Sequence, residues 1–323
     1  MARRQSIEAV DRTLQDITGI PLPFGGKTMV MGGDFRKMRL TTNMRAINDP
    51  WFSDFLLRVG DGTQPSTDGT YICIPADMTI LFTTKEESIK ELINAIFLSL
   101  RTNVQPTEYI TSRAILTTRN ETVDEINDHM IDLFQGDAKV YYSFDTADDD
   151  KQNLYPTEFL NSLTISGLPP HKLRLKTGCP IILLRNIDPS NGLCNGTRLI
   201  CKAFAPNVID AEIAIGDHKG KRVFLPRIPM CLSEDDMLPF KLKRKQFPIR
   251  LSFSMTINKS QGQTIPYVGI YLPESVFSHG QLYVALSRGK SRENTKVLVH
   301  PDKKFTQLGV YTSNVVYREV LQP

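Results

Sequence analysis

Apolar residues return every three or four positions in several stretches of the chain. Ile7, Val10, Leu14 and Ile17 form one stripe and predict an amphipathic helix over 6–17. Trp51–Val59 is a short segment with one apolar face. Ile89, Leu92, Ile93, Ile96, Phe97 and Leu100 form a longer stripe. It follows Thr84-Lys85-Glu86-Glu87, which has capping-box spacing. Val123, Ile126, Met130 and Phe134 form another, with Asn120 in front as the expected cap. Between the stripes lie continuous apolar runs of strand length: Thr28–Met31, Ala114–Thr118, Tyr267–Leu272 and Lys296–His300. Strands buried on both faces read this way. The run at 114–118 passes straight into a helix, which is the signature of α/β architecture.

From Gly178 to about Arg250 the pattern changes. Short β-type runs at 180–184, 197–204, 208–215 and 221–228 are separated by Asn-Gly, Pro-Asn, Gly-Asp and Lys-Gly, predicting a small all-β module. Arg250–Ile257 returns as an alternating strand, and Gln281–Arg288 reads as a helix. Residues 144–151 carry Asp148-Asp149-Asp150 and read as a solvated loop. The basic run Lys241-Leu242-Lys243-Arg244-Lys245 reads as a solvated loop, a DNA contact or a nuclear-import signal.

Composition narrows the field only a little. The chain has 323 residues and a net charge of +4, mildly basic and compatible with phosphate contact without being diagnostic of it. Five cysteines without CxxC spacing read as reduced thiols in an intracellular protein, not as a zinc site or disulfide framework. No long uncharged apolar stretch could span a membrane, so no membrane partner is expected. The five histidines show no paired spacing and receive no metal or nucleophile role.

Four short motifs carry more. Ser254–Thr264 reads SMTINKSQGQT and 281–291 reads QLYVALSRGKS. Leu40–Ala46 reads LTTNMRA and Met29–Lys37 reads MVMGGDFRK. They resemble motifs V, VI, IV and III of superfamily-one DNA helicases, in the form used by the Pif-like (petite integration frequency) family and by Helitron transposon helicases. Their order along the chain is the family's order. The resemblance implies a RecA-like second motor domain over residues 39–177 and 248–323. It implies an inserted SH3-like β-subdomain over 178–247 and a remnant of the first RecA-like domain over 1–38. It also implies ATP and Mg²⁺ as cofactors of the intact family, single-stranded or forked DNA as partner, 5′ to 3′ unwinding, and a nuclear or mitochondrial location. At the motif III junction Lys37 stands where the family has Gln, and Met38-Arg39 lead straight into motif IV, as if a segment were missing.

Chemistry adds a constraint. A P-loop motor needs G-x-x-x-x-G-K-[ST] between a strand and a helix, so that loop amides and Lys hold phosphates. Gly25-Gly26-Lys27-Thr28 fails, because Pro21 stands at the first Gly position and β-type residues follow. Asp34 is followed by Phe35, so no Asp-Glu magnesium box is present either. The resemblance makes Arg45 and Arg288 the cationic groups for a γ-phosphate, since guanidinium binds two oxygens at once. The plain alternative for each is a surface ion pair, and the setting of Arg288 within ALSRGK favours the phosphate role. Gly33, Asp34 and Gln261 are the remaining expected nucleotide-side residues. Thr256, Asn258, Lys259 and Ser260 are expected at DNA phosphates, at a strand-to-helix turn. Thr117, Arg119 and Asn120 form a similar turn. For both turns the plain alternative is a capped helix start.

The reading is therefore the C-terminal portion of a Pif-like DNA helicase, not expected to hydrolyse ATP by itself. Its rival is a non-catalytic single-stranded DNA-binding module or a decayed transposon relic.

Overall fold

The computed structural model describes residues 4–20, 22–26, 43–98, 100, 107–147, 154–165, 167–231, 239–301 and 309–317. The strand expected at 28–31, with Gly33, Asp34 and the motif III junction, lies outside the described residues.

Five parallel strands form the central sheet, in the order Ser254–Thr256, Arg113–Thr117, Tyr267–Leu272, Thr295–Val299, Thr79–Ile80. Alternation along each strand sends side chains to two apolar cores. Ile115, Tyr271 and Leu298 join Leu92, Ile96, Ile126 and Met130 on one face. Those partners come from helices Lys85–Ile96 and Asn120–Leu133. Ala114, Leu116, Val268, Ile270 and Val297 join Phe52, Phe55, Leu56 and Leu282 on the other. These belong to helices Pro50–Asp61 and Gln281–Leu286. Covering both faces is what apolar parallel strands require. Gly269 lets the first helix lie close: a Cβ there would sit 3.0 Å from Ile96 Cγ1 and 3.1 Å from Leu92 Cδ1.

Thr84 caps its helix as the spacing predicts. Thr84 accepts from the Glu87 amide at 3.3 Å, and its hydroxyl reaches Glu87 Oε2 at 3.2 Å. Asn120 does not cap. It is the first residue of its helix, and Arg119 occupies the cap position without a side-chain cap bond. The helix at Arg4–Thr18 forms, but Val10 and Ile17 on its stripe are exposed.

The β-rich part has antiparallel strands from Lys139 to Leu251. Five of them lie in the order Arg222–Pro226, Val208–Ile213, Arg198–Phe204, Pro180–Leu183, Ile249–Leu251. A three-stranded sheet pairs Ile228–Cys231, Leu242–Gln246 and Phe144–Ala147. A two-stranded one pairs Lys139–Tyr142 with Lys172–Leu175. Two loop expectations therefore change. Phe144–Ala147 and Leu242–Gln246 are paired strands, and Arg244 is buried between them instead of lying in a solvated basic loop. The cause is an ion pair: Arg244 Nη2 and Asp145 Oδ2 are 2.6 Å apart with both side chains buried. The guanidinium also donates to the carbonyls of Leu160, Leu163 and Pro169. A buried charge persists when its donors are all used this way.

The β-rich part and the parallel sheet share one apolar core, from Ile89 and Ile126 through Phe253 to Leu199 and Ile209. Arg198 crosses the same junction. It donates to the carbonyls of Thr111 (3.0 Å), Arg113 (3.1 Å) and Ser252 (3.2 Å). Burial pushes its guanidinium down to about 10.

Candidate nucleic-acid interface

Parallel strands end together, and their C-terminal edge is where open α/β sheets place ligands. Thr256 is in register with Thr117, so the turns following these two strands lie side by side. The first runs Thr117-Thr118-Arg119-Asn120 into helix Asn120–Leu133. The second is a 3-10 helix, Ile257–Ser260, capped by Thr256, whose hydroxyl accepts from the Lys259 amide at 3.4 Å. The expected helix after the second strand is thus a single tight turn.

The expected contact residues divide by burial. Asn258, Lys259, Gln261 and Arg119 are exposed, while Thr256 and Asn120 are half-buried. Arg119 forms an ion pair with Glu274 at 2.5 Å, at the end of the neighbouring strand. Thr117 and Ser260 are fully buried. The Ser260 hydroxyl donates inward to the Ile257 carbonyl at 2.7 Å, so it shapes the turn instead of facing a ligand. Lys259 Nζ donates to Asn195 Oδ1 at 2.9 Å, bringing the β-module's Asn195-Gly196 turn to this edge. Partial burial, with Arg185 and Arg250 nearby, holds the Lys259 ammonium below its ordinary range. Such a crowded cation gains from an anionic partner. Asn195 was visible in sequence only as a turn former; nothing in the pattern named its partner.

The two expected phosphate-binding arginines meet at Ser287. Arg45 Nη1 donates to the Ser287 carbonyl at 2.6 Å and its Nε to Thr264 Oγ1 at 2.9 Å. Arg288 Nη2 donates to the Ser287 hydroxyl at 2.9 Å. Its Nε bonds the Val284 carbonyl at 2.9 Å and its Nη1 the Gln263 carbonyl at 3.1 Å. Arg288 is buried, so in this arrangement it braces the motif V turn and is not presented to a phosphate. Among the described residues no carboxylate, histidine and cysteine cluster could hold a metal ion. The described residues do not by themselves fit ATP and magnesium.

A parallel sheet covered on both faces, with a β-rich part built off one edge and turns gathered at its C-terminal end, is a mixed α/β fold of the RecA-like kind. Family models make the assignment specific. "PIF1-like helicase" matches residues 1–46, and "DNA helicase Pif1, 2B domain" matches 158–204. The ATP-dependent DNA helicase PIF1 of Danio rerio is 26% identical over 310 residues, covering 90% of this chain and 43% of that protein. The Homo sapiens protein of that name is 25% identical over 316 residues, covering 90% and 43%. Pif1 helicase from Candida albicans superposes with a TM-score of 0.62 at 22% identity, covering 98% of this chain and 72% of that one. Bacteroides Pif1 in complex with ADP-AlF3 and ssDNA gives 0.58 at 20% identity, covering 94% and 71%. The chain is similar to PIF1-like helicases over most of its length. It spans less than half the length of those two curated relatives.

Proposed function

We propose that this chain is the second motor domain and β-module of a Pif1-like, ATP-dependent, 5′ to 3′ DNA helicase, holding single-stranded DNA along the C-terminal edge of its parallel sheet. One observation carries the reading: the register of Thr256 with Thr117, which sets two polar, cation-bearing turns side by side. The exposed Asn258 side chain and the turn amides suit phosphates, and the exposed Lys259 and Arg119 supply charge. ATP turnover needs a phosphate-cradling loop and an Asp-Glu pair at a strand end; the 323 residues contain no G-x-x-x-x-G-K-[ST] run, and their one Asp-Glu dipeptide, Asp124-Glu125, lies inside helix Asn120–Leu133. We therefore expect the chain alone to bind DNA without hydrolysing ATP. The test measures phosphate release with and without oligo-dT. Background-level release is expected; turnover that vanishes in Arg288→Ala would overturn the reading.

A second reading, a non-catalytic single-stranded DNA-binding module, is favoured by the buried, carbonyl-bonded Arg288. Mixing the chain with a separately expressed first motor domain of a relative separates the two. Restored DNA-stimulated turnover supports the helicase, and continued silence the binding module.

A further inference from the structure

The β-module carries a cavity of about 300 Å³ beside the motif V turn. That volume is at the small end of ligand sites. Two turns enclose it, at 192–197 and 215–218, and the chain is described without a break from 167 to 231. Ile213 and Ile215 give the cavity an apolar wall, while the exposed Asp217 and the half-buried His218 supply polar groups. Among the described residues the Asp217 carboxylate forms no ion pair, and the His218 imidazole has no hydrogen bond.

Main-chain packing fixes the shape. Gly192 has a φ of 83°, and a Cβ there would sit 2.5 Å from His218 Cδ2, so the imidazole lies against bare backbone. The Lys219 amide donates to the Gly216 carbonyl at 3.1 Å, and the Lys221 amide to the His218 carbonyl at 3.1 Å. Lys219 Nζ donates to Glu108 Oε1 at 3.1 Å, which ties the second turn to helix Thr107–Thr111.

Asn195 joins the cavity to the sheet edge. It lines the cavity, and its Oδ1 accepts from Lys259 Nζ at 2.9 Å. Its amide donates to Asn186 Oδ1 at 2.8 Å, which brings Arg185 to the same corner. Partial burial and then Arg185 disfavour the Lys259 ammonium, so the two cations are neighbours. Arg250, the third cation here, is matched by Asp124 at 3.4 Å and bonds the Leu168 carbonyl at 2.7 Å. Arg185 donates to the Leu184 carbonyl at 3.0 Å, and among the described residues neither it nor Lys259 forms an ion pair. Two neighbouring cations without a carboxylate partner favour an anion. An apolar cavity with an unused acceptor, opening beside them, has the composition of a site for one nucleotide, phosphate outside and base within.

We propose that this corner is a base-reading subsite: Arg185 joins Lys259 on a phosphate, and the adjacent base enters the cavity, its face on Ile215 and His218 and its edge donating to the Asp217 carboxylate. A carboxylate accepts and does not donate, so it selects a base with an exocyclic amine, such as cytosine. Thymine offers one ring N–H flanked by two carbonyls and is disfavoured. The inference rests on the sheet-edge reading and adds a base preference to it.

The test titrates the full chain with fluorescein-labelled oligo-dC and oligo-dT of equal length. Oligo-dC should bind roughly ten-fold more tightly, the worth of one hydrogen bond to a charged acceptor. Asp217→Ala should bring the ratio of the two affinities close to one. Loss of a negative charge by itself would strengthen both strands alike, so the ratio reports base reading. Arg185→Ala should weaken both strands, lower the single-strand salt slope by about 0.7 and keep the ratio. An unchanged melting temperature confirms that each variant folds. Equal binding of the two strands by the wild-type chain, with a slope that falls in Lys259→Ala, overturns the subsite and leaves the sheet-edge reading standing. A ratio that survives Asp217→Ala, or a full slope in Arg185→Ala, overturns the subsite as drawn. Binding of neither strand overturns both readings.

Discussion

Arg288 donates to the main-chain carbonyl of Gln263 at 3.1 Å, so the helix of motif VI holds the turn of motif V by its backbone. The same guanidinium bonds Val284 and Ser287, and it is fully buried. Removing it leaves several carbonyl acceptors without their charged donor.

Arg288→Ala should therefore destabilise the chain by about 2–4 kcal/mol, given roughly 1.5–3 for each hydrogen bond to a charged group and partial relaxation. Arg288→Lys should recover little, because an ammonium cannot reproduce the planar fork. Denaturant titration gives the size of the loss. Hydrogen exchange gives its place: amides at 257–265 should speed up first. Uniform acceleration across the sheet would mean that the brace is not local.

Lys259 is bonded to Asn195 but exposed, and its ammonium is disfavoured by partial burial and by Arg185 and Arg250. An arriving phosphate relieves that crowding. Lys259→Ala should weaken oligo-dT binding and reduce the single-strand salt slope by about 0.7, one phosphate contact. Asn195→Ala should leave the slope intact, because it removes a neutral acceptor. Anisotropy at two salt concentrations decides; equal slopes for Lys259→Ala and the parent would remove Lys259 from the contact set.

The Asp145–Arg244 pair gives a sharper stability test. Breaking a buried pair on one side leaves an uncompensated charge, at a cost of about 3–5 kcal/mol. Asp145→Asn and Arg244→Met should each fall in or near that range. The double variant should lose much less than their sum, since contacting residues couple. Additive losses would show that the two side chains act independently.

The central sheet was legible because its strands are buried on both faces and its helices striped. The runs at 114–118 and 267–272 and the Thr84 cap formed nearly where the pattern put them. The sheet-edge turns could be located in sequence, but which of their side chains face outward could not. Ser260 and Asn258 look alike as polar turn residues, yet only the fold turns one inward. Charged residues misled wherever they found buried partners. The basic run at 241–245 reads as surface until Asp145, almost a hundred positions away, supplies a counter-charge. Arg198 and Arg250, each set among apolar neighbours in a strand, are buried in the fold.

Two histidines set an acid limit on stability. His279 is buried, its Nδ1 accepts from the Tyr317 amide at 2.9 Å, and its ring stacks on Tyr317 at 5.2 Å. Burial holds it below its ordinary value, with the Val315 backbone partly opposing. His171, whose Nδ1 lies 2.7 Å from the Ser143 hydroxyl, is likewise lowered by burial, and Arg244 adds to this while Asp145 opposes it. Both rings favour the neutral form in the fold more than in the unfolded chain. Between the lowered folded value and the unfolded value near 6.5 the unfolded chain binds more protons, so stability rises with pH there. The contribution is complete above about 6.5 and is lost as pH falls through the folded values. Asp124, raised by burial, slopes the other way, so single variants are needed to isolate the histidines. His279→Gln and His171→Gln should each flatten the rise in melting temperature between about pH 5 and 7, relative to the parent. A parent profile that is flat there, or variants that keep the full slope, would show that neither imidazole is held neutral by the fold.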